Sequence, residues 1–180
     1  MQSVDAKWIV NSRAEVTEKE WRLSLIDGGP GNFSWLLKGK LAGCARPKDD
    51  SELSWLWSHG IRAIVCLNKE NPLIREMIED RGFQYEFIPV RDFSAPSIYD
   101  MEKYVKFVTN MINNGKPVVT CCGAGIGRTG TMLAVYLVNE GHTPKRALEE
   151  VKHKRRHNVE VEEQKLSVQK YARYLKDINR

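Results

Sequence analysis

A cysteine and an arginine with five residues between them, Cys122 and Arg128, are the pair of side chains in this sequence best suited to chemistry. Three of the five intervening residues are glycines. Because glycine adopts positive φ angles and lets the backbone approach a ligand closely, successive N–H groups there can converge on one anion. Residues 118–119 have the β-branched side chains of a buried strand, and 132–138 have the composition of a buried helix, whose N-terminus adds partial positive charge. The pattern therefore predicts a phosphate-binding loop between a strand and a helix.

Cys122 would be the nucleophile of this loop. A thiolate surrounded by N–H donors and beside a guanidinium is favoured over the thiol, so we expect an ionised Cys122 near neutral pH. The Arg128 guanidinium is a planar fork that binds two phosphate oxygens at once and stays charged. These roles predict attack of a thiolate on phosphorus. The residues predicted to bind the phosphate are Gly123, Ala124, Gly125, Ile126, Gly127 and Arg128.

Two other interpretations of the loop remain open at this point. Residues 125–130 satisfy the G-x-G-x-x-G pattern of dinucleotide-binding folds, but the acidic residues about 20 positions later, Glu149 and Glu150, fall in a helical pattern instead of ending a strand. The second interpretation is a glycine-rich turn that contains a structural, buried cysteine. The Cys-x5-Arg spacing in a glycine-rich context argues against it.

The loop resembles the signature of the cysteine-dependent protein tyrosine phosphatase superfamily, His-Cys-x5-Arg followed by Ser or Thr. Cys122, Arg128 and Thr129 match this pattern, whereas Cys121 replaces the histidine that helps to hold the loop and tune the nucleophile in the family. Residues 32–43, Asn-Phe-Ser-Trp and then Gly-x-Leu-Ala-Gly, resemble the small atypical dual-specificity phosphatases. The resemblance extends over 32–175 and implies a dual-specificity phosphatase-like fold.

Asp92 is the candidate general acid. A phosphocysteine mechanism needs one group that protonates the leaving oxygen and later accepts a proton from the attacking water. Asp92 follows a predicted strand, in a loop rich in turn-forming residues, where a turn or capping role is the more frequent one. The resemblance favours the acid, because these phosphatases place it in an Ile-Pro-x-x-Asp-x-x-x-Pro context some 30 residues before the nucleophile.

Thr129 and Gln164 are further candidates for the site. Thr129 would donate a hydrogen bond to the thiolate as it leaves the phosphocysteine, or it would cap the helix. Gln164 matches a late Glu-x-x-Glu-Gln stretch that borders the active site in the family, with a solvated helix face as the alternative.

Two more cysteines, Cys66 and Cys121, are either plain core residues or partners that trap an oxidised Cys122 as a disulfide, since a reactive thiolate oxidises first. The basic run 152–157 is interpreted as a solvated face next to an anion site. Docking of a phosphorylated partner through Arg155 and Arg156 is an additional hypothesis.

Helical and strand patterns alternate along the chain. A strand hairpin is predicted at 32–43, further strands at 61–67, 83–90 and 118–119, and helices at 51–58, 72–82, 98–114, 132–138, 143–157 and 161–177. This order predicts a single α/β domain with a central, mainly parallel β-sheet and helices on both faces, and ligands bind such sheets at the carboxyl ends of the strands. We assign 1–31 to an N-terminal extension and 32–180 to the catalytic domain.

The composition is that of one ordinary globular domain, with 180 residues, a net charge of +5 and four cysteines without metal-type spacing. No apolar run approaches the roughly 18 residues of a membrane span. We expect a monomer without a metal or cofactor, located in the cytoplasm or alternatively the nucleus, with phosphorylated proteins as substrates. Nucleic acid is expected only as the substrate of a triphosphatase.

The function predicted from these features is hydrolysis of phosphotyrosine and of phosphoserine or phosphothreonine through a phosphocysteine intermediate. The uncharged side chains within the phosphate loop argue against highly charged inositol lipids. The alternatives are an RNA 5′-triphosphatase of the same superfamily and a phosphate-binding pseudophosphatase. A rhodanese-like sulfurtransferase also has a cysteine in a strand-to-helix loop, but it needs no acid at Asp92.

Overall fold

The computed structural model describes residues 28–156 and 159–178, which form five strands and six helices. The strands are β1 (Ser34–Leu37), β2 (Leu41–Ala45), β3 (Ala63–Asn68), β4 (Gln84–Val90) and β5 (Val118–Cys122). The helices are α1 (Asp50–Ser58), α2 (Arg75–Glu79), α3 (Ile98–Asn113), α4 (Gly127–Asn139), α5 (Pro144–Arg155) and α6 (Glu162–Ile178). Most of the predicted N-terminal extension, 1–27, and His157 of the basic run lie outside the described residues.

The strands form one sheet in the order β1-β2-β5-β3-β4, in which only β1 is antiparallel to its neighbour. Strand β5 occupies the centre, and all five of its residues are buried, because helices cover both faces of the sheet. One core cluster contains side chains of α1 and α2, and the other contains side chains of α3 to α6. The predicted fold class is therefore confirmed.

Helix α2 is shorter than the predicted 72–82, and tertiary hydrogen bonds explain the difference. The Pro72 carbonyl accepts a hydrogen bond from the Arg46 guanidinium (3.3 Å), and the Leu73 carbonyl accepts one from the Tyr85 hydroxyl (3.0 Å). These carbonyls are engaged outside a helix, and α2 begins only at Arg75.

Helix α4 is longer than the predicted 132–138. It begins at Gly127, inside the predicted phosphate-binding loop, so the last residues of that loop already belong to its first turn. The described ranges contain no helix whose length and hydropathy would let it cross a membrane.

Candidate active site

The loop 123–126 connects the carboxyl end of the central strand β5 to the N-terminus of α4. Cys122 is the last residue of β5, and only 3% of its surface is exposed. Within the described part of the chain, no backbone amide of 123–126 donates a hydrogen bond to another protein group. These amides, together with the first turn of α4, form a set of unpaired donors directly after Cys122 in the chain.

Three donors from distant parts of the chain hold the carbonyl groups of this loop. They are the Arg46 amide to Cys122 O (2.7 Å), the Asn32 side-chain amide to Ala124 O (2.9 Å) and the Arg155 guanidinium to Gly125 O (3.0 Å). Because these carbonyls are engaged by other parts of the chain and the loop amides are not, the N–H groups remain available to a ligand. This is the arrangement that an anion-binding nest requires.

Arg128 is buried, with 4% of its surface exposed, and it forms ion pairs with two carboxylates. Its Nη2 lies 3.0 Å from Asp92 Oδ1, and its Nη1 lies 2.8 Å from Glu70 Oε2. The second oxygen of Glu70 accepts a hydrogen bond from the Asp92 amide (2.8 Å). One carboxylate thus connects Arg128 to the backbone of the loop that carries Asp92.

Glu70 was not identified in the sequence, where it follows β3 in a polar turn without a recognisable motif. The hydrogen bond from Arg128 is the main cause that lowers the pKa of Glu70 to about 2. The pair is therefore charged on both sides above about pH 4.

Three buried polar atoms at the site have no hydrogen-bond partner among the described residues: Arg128 Nε, Thr129 Oγ1 and Gln164 Oε1. Buried polar groups are rarely left unpaired, and Arg128 and Gln164 line one cavity, so their unpaired atoms indicate a place for a polar ligand there. The capping role considered for Thr129 is wrong, because the N-cap of α4 is Ile126 and no side chain caps it. Its hydrogen bond to the leaving thiolate remains a prediction.

Asp92 and the following residues form a turn over the phosphate-binding loop. The Ser94 amide donates to Arg91 O (3.1 Å), and Phe93 has a φ of 58°, which bulky side chains rarely adopt. Gln164 donates to Ser94 O (3.1 Å) and is 1% exposed, so the alternative of a solvated helix face is wrong for this residue.

A cavity of about 240 Å³ opens between the turn, the loop and the start of α6. Its lining is Asp92, Phe93, Cys122, Ala124, Ile126, Gly127, Arg128, Glu160, Val161 and Gln164. The nucleophile, the arginine and the acid predicted from the sequence thus face one space. Arg128 is the single cationic side chain in this lining.

Cys66 and Cys121 are adjacent on neighbouring strands, in the core cluster that also contains Cys44. Cys122 belongs to the cluster on the other face of the sheet. The hydrogen bond between the two thiols lowers the pKa of Cys66 and raises that of Cys121, so Cys66 loses its proton first. The trapping of an oxidised Cys122 by either residue remains a prediction.

Arg155 corrects the interpretation of the basic run 152–157 as a solvated face. It is 2% exposed, and besides Gly125 O it donates to Ser34 Oγ (3.0 Å) and to Asn32 O (2.9 Å). Neutralising it would disturb the loop, so it cannot report on docking of a partner. The sequence did contain a signal for the burial of Arg155. This residue continues the buried stripe of Ala147 and Val151 at intervals of four residues.

We expect Gly125→Ala to lower the free energy of unfolding by about 2–4 kcal/mol in urea denaturation. Gly125 has a φ of 73°, which costs alanine about 1 kcal/mol, and a Cβ there would overlap the backbone of Cys44 and Ala45, adding about 1–3 kcal/mol. Gly115→Ala is the matched control. It has a φ of 66° and open space around the Cβ. Its free energy of unfolding should therefore fall only by the about 1 kcal/mol that the positive φ costs an alanine. Equal losses in the two variants would contradict the close approach of the loop to β2.

Comparison with known sequences identifies a family that covers most of the chain. The profile named PTP-SAK, described as Swiss Army Knife protein, DSP-PTPase phosphatase domain, matches residues 30–176. An uncharacterised protein of Methanocaldococcus jannaschii is 40% identical over 50 residues, which are 28% of this chain and 34% of that protein. Human dual specificity protein phosphatase CDC14A is 27% identical over 122 residues, 60% of this chain and 20% of its own. The matches therefore span at most about a third of these relatives.

Solved structures with the same fold include phosphatases. The crystal structure of Tk-PTP in the active form superposes with a TM-score of 0.73 at 28% sequence identity, over 79% of this chain and 97% of that one. The five-stranded, mostly parallel sheet and the surrounding helices thus correspond to a known phosphatase architecture.

Proposed function

Because this chain belongs to the PTP-SAK family of DSP-PTPase phosphatase domains, we propose that it hydrolyses phosphotyrosine and phosphoserine or phosphothreonine in proteins through a phosphocysteine intermediate. The superfamily expected from the spacing of Cys122 and Arg128 is confirmed by this match over 30–176. The substrate and the covalent intermediate are the parts that we propose.

The observation that carries the proposal is the common cavity of Cys122, Arg128 and Asp92. Cys122 immediately precedes the loop with unpaired amides, and the Asp92 carboxylate lies 3.0 Å from the Arg128 guanidinium. A phosphate in this space would receive hydrogen bonds from the amides and from the unpaired Arg128 Nε. A nucleophile, an anion site and an acid in one cavity are the elements of phosphoryl transfer through a covalent enzyme intermediate.

In the first step the Cys122 thiolate attacks phosphorus, and the bond from phosphorus to the substrate oxygen breaks. The leaving oxygen takes the proton of the Asp92 carboxylic acid, so an alcohol or phenol departs and Asp92 becomes a carboxylate. The loop amides and the Arg128 fork stabilise the charge on the three equatorial oxygens in the transition state. Arg128 exchanges its contact with Asp92 for contacts with phosphate as substrate binds.

In the second step water attacks the phosphorus of the thiophosphate while the Asp92 carboxylate accepts one of its protons. The bond between sulfur and phosphorus breaks, inorganic phosphate forms, and Cys122 returns as the thiolate. Gln164 Oε1 is buried and unpaired, so it is an available acceptor for the second proton of that water. Thr129 Oγ1 is the corresponding unpaired donor for the departing thiolate.

The charges around the cavity favour a phosphate monoester over a polyphosphate. Arg128 is its one cation, whereas Asp92 and Glu160 are both in the lining. The outer phosphates of an RNA 5′-triphosphate would approach these carboxylates without a lysine or arginine to bind them. We therefore place the triphosphatase second to the protein phosphatase.

The proposal predicts a bell-shaped pH dependence of kcat/KM for p-nitrophenyl phosphate, unchanged by a metal chelator. The acid limb reports ionisation of the nucleophile, and the alkaline limb reports loss of the proton from the acid. Glu70 contributes to neither limb, because its pKa of about 2 keeps it ionised above about pH 4. The stabilisation from its ion pair would be lost only as the pH falls from the ordinary value of 4.5 through about 2.

Phosphopeptides and a 5′-triphosphorylated RNA should be compared in the same assay. Faster phosphate release from the RNA would favour the triphosphatase. No turnover of any substrate, together with retained vanadate binding, would identify a pseudophosphatase. Loss of activity with chelator would contradict the metal-independent mechanism.

A further inference from the structure

Three of the four parallel strands in the sheet are followed directly by a basic residue. Arg46 follows β2, Lys69 follows β3 and Arg91 follows β4. Strand β5, which ends with Cys122, lies between β2 and β3. Because the carboxyl ends of parallel strands meet at one edge of a sheet, the three basic residues lie along the edge that also carries the loop 123–126. We call Arg46, Lys69 and Arg91 the cationic rim.

Arg46 is fixed between this loop and the segment that follows β3. Its amide donates to Cys122 O (2.7 Å), and its guanidinium donates to Pro47 O (3.0 Å) and to Pro72 O (3.3 Å). Both acceptors of the guanidinium are neutral, and the buried Arg46 Nε has no partner among the described residues. No carboxylate in the described part of the chain therefore compensates the charge of Arg46.

Lys69 and Arg91 are neighbours at the ends of β3 and β4. The residues before them pair in the register of the sheet, and the residues after them are joined by a hydrogen bond from the Asp92 amide to Glu70 (2.8 Å). Because adjacent strands lie about 4.8 Å apart, the two basic residues stand side by side at the edge. Both are exposed, and neither forms an ion pair within 28–156 and 159–178. The nearby carboxylates of Glu70 and Asp92 are engaged by Arg128 instead.

The cationic rim lies just outside the cavity, since none of its three residues lines that space. Arg91 nevertheless directly precedes Asp92, which belongs to the lining. Lys69 follows Asn68, whose Nδ2 would lie 3.9 Å from a Cβ on Gly123, the first residue of the loop. The rim is thus placed to contact residues on either side of a bound phosphoresidue, and not the phosphate itself.

We propose that the cationic rim selects protein substrates with acidic side chains next to the phosphoresidue. The inference rests on the proposed function, because it names the class of phosphoprotein that the same site prefers. Carboxylates complement the unpaired lysine and arginine side chains, whereas a basic segment would be repelled. This attraction adds to the binding of the phosphate, since it acts on other residues of the substrate.

The test measures dissociation constants in the Cys122→Ser background, where binding is read without turnover. Two phosphotyrosine peptides of equal length are compared, one with glutamates on both sides of the phosphoresidue and one with glutamines there. At low salt we expect the acidic peptide to bind about 3–10-fold more tightly, because exposed charges attract one another moderately. At about 1 M salt, where the Debye length is about 3 Å, the ratio should approach one.

Two double variants of the rim are compared with a matched control. Lys69→Gln combined with Arg91→Gln should lower the ratio below about 2, and the corresponding glutamate variant should reverse the preference. Lys145→Gln combined with Arg146→Gln removes the same charge from an exposed pair beyond α4 and should keep the original ratio. Each ratio compares two peptides on one variant, so changes in folding or in the phosphate site cancel. Arg46 is left in place, because its guanidinium also has structural contacts.

Equal affinity for the two peptides with the rim intact would overturn the inference, as would an equal loss of preference in the control. A 5′-triphosphorylated RNA that loses more affinity than the acidic peptide in the rim variant would also overturn it and assign the rim to nucleic acid. Inactivity of the wild type toward p-nitrophenyl phosphate would overturn the proposed function alone, because the ratio needs no turnover. Failure of both peptides to bind would overturn both.

Discussion

Cys122→Ser is expected to lower kcat for every phosphate monoester by at least about 10⁴-fold while vanadate still binds. A serine hydroxyl in this place is not ionised near neutral pH. Asp92, the base of the proposed second step, must carry a proton in the first step and so cannot take the one from the serine. The phosphate-binding groups are the loop amides and Arg128, which the substitution leaves in place. This variant should therefore lose turnover and keep the binding of vanadate.

The measurement pairs steady-state hydrolysis with vanadate titration and with acid quenching of the wild type to recover phosphate bound to Cys122. Cys44→Ala serves as the matched control, because it removes a buried thiol on the other face of the sheet. It should retain most of the turnover. Residual hydrolysis by Cys122→Ser near the wild-type rate would exclude the covalent mechanism.

Asp92→Asn should cause the second large loss in kcat, and the size of that loss should depend on the leaving group. For alkyl and phenyl phosphates we expect kcat to fall by about 10²–10³-fold, because their oxygen must be protonated as it departs. For p-nitrophenyl phosphate, whose leaving group is a weak base, the first step should slow much less. The loop should keep its position, since the hydrogen bond from the residue 92 amide to Glu70 does not involve the side chain.

A linear free-energy plot of kcat/KM against leaving-group basicity measures this difference. The slope should become steeper in Asp92→Asn, and the alkaline limb of the pH profile should disappear. Asp80→Asn, an exposed aspartate just after α2, is the control and should leave slope and profile unchanged. A uniform loss across all leaving groups would instead mean that Asp92 positions Arg128 and is not the acid.

The sheet and most helices could be predicted because their signals are local. The β-branched pair Val118 and Val119 indicated a buried strand, which the structure places at the centre of the sheet. The alternation of patterns indicated a mainly parallel sheet covered on both faces. Helix α2 was predicted too long, because the hydrogen bonds that hold Pro72 and Leu73 outside it come from Arg46 and Tyr85. No property of 72–82 itself reveals those partners.

The loop that we propose to be catalytic could be recognised for the same reason. Cys122, Arg128 and the glycines between them are contiguous, so their spacing defines an anion site before any tertiary contact exists. Asp92 could be predicted as the general acid only through the family resemblance, because an aspartate in a turn more often has a structural role. For Gln164 only the tertiary structure decided between a site residue and a solvated helix face. The fold buries its side chain, which contacts Ser94 and lines the cavity.

The sequence by itself determined the glycine-rich loop with Cys122 and Arg128, the α/β class and the family, since each follows from the order and spacing of neighbouring residues. Only the tertiary structure decided that Glu70 connects Arg128 to the acid loop and that Arg155 enters the interior while its neighbours in the basic run do not. It also put Cys121 and Cys122 in clusters on opposite faces of one sheet. The reason is physical: burial, charge compensation and hydrogen-bond partners depend on residues tens of positions apart, and these meet only when the chain folds.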